Sequence, residues 1–86
     1  MATVPFADAA RVVVYVRENC HLCDVALSLV AEVCEPLGIG WHTVDIDSDP
    51  QLVEAFTDHV PVTFVDGVQH DYWGVNPQRL HEALTG

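Results

Sequence analysis

Apolar residues recur along this chain with two different periods. Val12-Val13-Val14-Tyr15-Val16 is a continuous β-branched run, too short for a helix, and reads as a buried strand. From Leu22 the spacing changes. Leu22, Val25, Ala26, Leu29, Val30 and Val33 fall at three- and four-residue steps, which predicts one buried face of a helix that Pro36 and Gly38 end. Trp41 to Ile46 alternates and then turns acidic at Asp45-Ile46-Asp47, predicting a second strand. Ser48 or Asp49 can cap a following helix, with Pro50 in its first turn and Gln51 placed to form a capping box with Ser48. That helix, from about Pro50 to Asp58, would bury Leu52, Val53 and Phe56. Val60 to Val65 predicts a third strand, Asp66-Gly67 a tight hairpin turn, and Val68 to Trp73 the returning fourth strand. Asn76-Pro77 caps a last helix to about Leu84, whose buried side would be Leu80, Ala83 and Leu84.

The resulting order is β-α-β-α-β-β-α, an α/β fold with a four-stranded mixed sheet and flanking helices. Two crossover units imply parallel pairing, and the hairpin implies antiparallel pairing. With 86 residues there is room for one domain, 1–86, in which 1–10 form an N-terminal extension. Half the residues are hydrophobic, which suits a packed globular core. Three cationic side chains, Arg11, Arg17 and Arg79, stand against 13 Asp and Glu, for a formal charge of −10. That balance disfavours nucleic acid and anionic membrane, whose phosphates require cationic contacts. The first ten residues carry no positive cluster, and the apolar run after them is far too short for a signal or a spanning helix, so a cytoplasmic protein is expected.

In a reducing compartment a close pair of cysteines is more often catalytic or metal-binding than a structural staple. Cys20-His21-Leu22-Cys23 lies where the first strand gives way to the first helix. Unpaired N–H groups and the macrodipole at a helix N-terminus favour an anion, which suits a nucleophilic thiol. Two intervening residues bring the second sulfur about one turn away, within reach of a small disulfide ring. Protonated His21 would add positive charge beside Cys20, and Asp24 pulls the other way. Cys34, eleven residues beyond Cys23 and roughly 16 Å along the helix, is a small core residue and no partner. His42, His59, His70 and His81 show no metal-ligand spacing, and Asp45, Asp47 and Asp49 are read as a strand end and a helix cap, so no metal is expected.

Tyr15-Val16-Arg17-Glu18-Asn19-Cys20-His21-Leu22-Cys23, Asp45-Ile46-Asp47-Ser48-Asp49-Pro50 and Val60-Pro61-Val62 before a hairpin together resemble the glutaredoxin-like branch of the thioredoxin fold, over roughly residues 11 to 84. On residue evidence alone Pro61 is an ordinary strand-start proline. The resemblance implies a cis-proline facing the thiols and exposing the Val60 backbone to a substrate peptide. It also implies that Cys20 attacks and Cys23 resolves. Arg17 stands where such proteins place a cation that meets the glutathione carboxylate or supports the thiolate, and Trp73 and Gly74 are placed to form a wall and a close-approach point.

Several positions depart from the family pattern: His21 replaces the usual proline, Leu22 the usual aromatic residue, and Asn76 stands where a carboxylate is expected. Helix capping accounts for Asn76. The implied function is thiol–disulfide oxidoreduction on a protein or small-molecule disulfide. No tightly bound cofactor is implied, and the reductant would be glutathione, another low-molecular-weight thiol or a reductase. The alternative is a non-catalytic thioredoxin-fold module that binds an iron–sulfur cluster or a protein partner. Cys23 leans toward turnover, because a resolving thiol destroys mixed disulfides that cluster binding does not need.

Overall fold

A computed structural model describes residues 11–85, and the extension expected over 1–10 lies outside the described residues. Along the chain run β1 (Val12–Val16), α1 (His21–Leu37), β2 (Trp41–Asp45), a 3-10 turn (Ile46–Ser48), α2 (Pro50–Phe56), β3 (Val62–Val65), β4 (Val68–Tyr72) and α3 (Pro77–Thr85). The strands form one sheet in the order β2-β1-β3-β4. β1 is parallel to β2, with Val12 beside Trp41, and antiparallel to β3, with Tyr15 opposite Val62. The mixed four-stranded sheet is the expected one, but the second connection is not a parallel crossover. β3 runs antiparallel to β1, with Tyr15 opposite Val62 and Val12 opposite Val65. β3 therefore starts at the end of the sheet where β1 and β2 finish.

Period-2 alternation gives the sheet two different faces. Val12 and Val14 point toward α1 and α3, where they join Ala26, Val30, Val33, Cys34, Val65, Val75, Leu80 and Leu84 in the main core. On the opposite face Tyr15, Phe56 and Phe64 meet edge to face or tilted, with centroids 5.1 to 6.1 Å apart. This aromatic layer is thinner. Leu52, Val53 and Phe56 are only half-buried, because the single short helix α2 cannot cover the sheet.

α1 buries Cys23, Ala26, Val30, Val33 and Cys34. Leu22 and Val25, expected on that face, are exposed at 53% and 44%, and Leu29 is half-buried. The stripe centres instead on the small side chains Cys23 and Ala26, both 1% exposed. Pro36 does not end α1 either. It lies in the last turn, where its missing N–H costs one bond, and the stop is Gly38 in the left-handed region at φ 70°. There the N–H groups of Gly38 and Ile39 reach back to the carbonyls of Glu35 and Cys34, both at 3.0 Å. At the other end of the sheet Asp66 and Gly67, both with positive φ, turn β3 into β4 as expected. Arg11 pins this turn through a two-pronged pair with Asp66 at 2.9 Å and also donates to the Leu84 carbonyl at 3.3 Å. In α3, Leu80 and Leu84 are buried while Ala83, expected beside them, faces outward. No described helix is long and apolar enough to cross a membrane.

Candidate active site

Asn19, with φ 57°, lifts the chain out of β1 and sets Cys20 extended as the N-cap of α1. Asparagine tolerates this left-handed conformation better than most residues. The Cys23 N–H donates to Cys20 Sγ at 3.2 Å, and the Asp24 N–H to the Cys20 carbonyl at 3.2 Å. A cysteine thus fills the role usually taken by a Ser or Asp side chain. The thiols are unequal in access: Cys20 is half-buried, whereas Cys23 is 1% exposed.

Burial pushes the Cys23 thiol up to about 12, the hydrogen bond with Cys20 and the charges of Cys20 and Asp24 add to the rise, and the Arg17 main chain opposes it. Burial also raises Cys34, which lies in the main core. At pH 8 a thiol-alkylating reagent is therefore expected to label one cysteine per native chain, Cys20, and three after denaturation, as read by intact mass. The folded Cys23 value exceeds the ordinary 9.0, so the stability this thiol carries is complete below about pH 9 and drains away as pH rises toward 12.

The register of Tyr15 with Val62 brings the segment before β3 to the end of β1 from which Cys20 follows. Val60-Pro61 is cis, Pro61 is buried and Val60 half-buried. Trp73, at φ 67°, is latched to this segment: its main-chain N–H donates to the Pro61 carbonyl at 2.8 Å and its indole N–H to the Asp58 carbonyl at 2.7 Å. Trp73 is 55% exposed as a residue, and its ring stacks on His59 at 6.3 Å, with Tyr72 edge-on to both. His59 and Tyr72 were not among the site residues read from the sequence. A run of aromatic residues across from a strand-start proline is the signal that was there to find. His21 and Leu22 are exposed in the first turn of α1, and Gly74 has open space where a Cβ would stand.

Arg17 leaves the end of β1 but is already occupied. Its guanidinium forks onto Asp47 at 3.0 and 3.1 Å and donates to Thr57 Oγ1 at 2.7 Å, tying β1 to the 3-10 turn and the end of α2. Asp45 and Asp49 act as caps, accepting from the Asp47 and Gln51 N–H groups at 2.9 Å. The acidic run is thus the strand end and helix cap that the sequence implies, with Asp49 rather than Ser48 as the cap of α2. Asn76 likewise caps α3, accepting the Arg79 N–H at 3.0 Å. A shallow groove opens beside that cap, lined in part by Asp71, Gly74, Asn76 and Arg79.

A mixed sheet with helices on both faces and a thiol pair where β1 meets α1 defines a redox-type module of the thioredoxin fold. The chain belongs to the glutaredoxin-like family, since the profile described as Glutaredoxin-like domain (DUF836) matches residues 11–85. It is 33% identical over 74 residues to Uncharacterized protein Rv0508 of Mycobacterium tuberculosis, covering 80% of this chain and 76% of that one. Among solved structures it is similar to target protein XcR50 from X. campestris, with a TM-score of 0.71 and 30% identity over 85% of this chain and 93% of that one. The glutaredoxin (grx-1) from Archaeoglobus fulgidus, 18% identical with a TM-score of 0.63 over 100% and 98% of the two chains, shares the fold.

Proposed function

We propose that the protein is a dithiol–disulfide oxidoreductase. The reading is carried by one observation: Cys20 Sγ sits accessible at the α1 cap and accepts the Cys23 N–H, while Cys23 is buried behind it and held protonated. Cys20 as thiolate attacks one sulfur of a substrate disulfide, forming a Cys20–substrate bond and releasing the other substrate sulfur, which takes a proton from solvent. Cys23 then loses its proton, attacks Cys20 Sγ and expels the second substrate thiol. The substrate gains two electrons and two protons, and the protein is left with a Cys20–Cys23 disulfide. Two equivalents of an external thiol, such as glutathione or another low-molecular-weight thiol, or a thiol reductase, restore the dithiol in a cytoplasmic setting.

Burial is the main cause that holds the proton on Cys23, and the hydrogen bond with Cys20 and the Cys20 charge add to it. Once Cys20 is consumed in a mixed disulfide the Cys20 part of that rise is gone, and the resolving thiol becomes easier to ionise. Val60, Pro61, Trp73, Gly74, His21 and Leu22 would line the approach of the substrate, with Arg17 anchoring β1 behind them. In the test, Cys23→Ala protein is incubated with a disulfide peptide. A one-to-one adduct on Cys20 is expected, visible as a mass increase that dithiothreitol reverses. No adduct, together with no peptide reduction by the wild type, would overturn the reading.

A further inference from the structure

We infer that the preferred substrate is a disulfide in a cationic polypeptide, with apolar residues beside its cysteine, in preference to an anionic small disulfide such as that of glutathione. The inference rests on the oxidoreductase reading and names what that site takes. An anionic ligand is held best by cations, and this surface has committed its arginines. All three arginine side chains of the chain are paired with carboxylates: Arg17 with Asp47 at 3.0 Å, Arg79 with Asp71 at 3.5 Å, and Arg11 with Asp66 at 2.9 Å near the far end of the sheet. At the cap of α3, where a carboxylate would be welcomed, Asp71 already accepts the Asn76 N–H at 3.4 Å as well as facing Arg79. An anion entering the groove there would meet that carboxylate.

Against exposed His21 and His59 stand three carboxylates with the opposite preference. Glu18 lies two residues before Cys20, Asp24 in the first turn of α1 and Asp58 on the segment that holds Trp73, and all three are exposed. Asp24 is close enough for its charge to raise Cys23. Leu22, Val25, Tyr72 and Trp73 add exposed apolar surface. The exposed indole of Trp73 attracts a Lys or Arg side chain through its ring quadrupole and accommodates the aliphatic stem. The formal charge of −10 extends this preference to long range by steering cationic partners inward.

Three disulfides of matched length are compared with dithiothreitol as reductant: a peptide flanked by Lys and Arg, the same peptide flanked by Asp and Glu, and a neutral one. Glutathione disulfide is included as a fourth. At low ionic strength kcat/KM for the cationic peptide is expected to exceed that for the anionic peptide and for glutathione disulfide about tenfold or more, the ratio falling toward unity in high salt. Glu18→Gln, Asp24→Asn and Asp58→Asn combined should shrink the ratio at low salt. Turnover with equal rates, or with the anionic disulfides preferred, overturns the inference and leaves the oxidoreductase reading intact. No turnover of any disulfide, the neutral one included, overturns both.

Discussion

Cys20→Ser is expected to lower disulfide reduction to the uncatalysed background without weakening the fold. The two halves of that outcome come from different properties of one atom. A serine oxygen accepts the Cys23 N–H as well as sulfur does, and serine is among the favoured N-cap residues, so α1 keeps its start. What serine lacks is a sulfur that can enter a disulfide, so every step after the first encounter is lost. Cys23→Ala fails differently. The first exchange still proceeds on Cys20, and the protein stalls as the mixed disulfide unless an external thiol releases it. Rates measured with a reporter disulfide, alongside thermal melts, separate the two variants. Substantial residual turnover in Cys20→Ser would move the chemistry to another cysteine and remove the N-cap sulfur from its central place.

What could be read from the chain before the structure follows the range of the interactions. The β-branched run of β1, the Asp66-Gly67 turn and the Asn76 cap are each set by residues within a few positions of one another, and all three stand where they were expected. The thiol pair at a strand-to-helix junction is equally local. The direction of β3 is not, because it is set by its pairing with β1, some 47 to 53 residues away in sequence. The buried face of α1 also turned out to be set from outside the helix. Its buried side runs through Cys23 and Ala26, which leaves Leu22 and Val25 exposed. Arg17 shows the limit most plainly. Its place three residues before Cys20 suggests a ligand contact, yet its partners Asp47 and Thr57 lie 30 and 40 residues away. The stacking of His59 on Trp73 also needs the hairpin to close first. Family resemblance carried the cis bond at Pro61, which the local sequence alone did not demand.

Leu80→Ala is expected to cost about 3 kcal/mol, within the range of roughly 2–5 for truncating a buried leucine. Leu80 is fully buried, and it joins α3 to the cluster of Val12, Val14, Ala26 and Val30 that also seats α1. For a chain this size total stability is about 4–13 kcal/mol, so a large share is lost at one position. With an m-value of about 1 kcal/mol/M the urea midpoint should fall by about 3 M. The control is three residues further on. Helical periodicity alone places Ala83 in the same core, whereas the structure turns it to solvent, so Ala83→Ser should change stability by no more than about 0.5 kcal/mol. Equal losses at the two positions would mean that α3 is rotated about its axis from the orientation described. The cost at Leu80 also bears on the site, because α1 presents Cys20 from the far end of the helix that this core holds in place. A protein weakened there should lose its selective labelling of Cys20 as the population that exposes Cys23 and Cys34 grows.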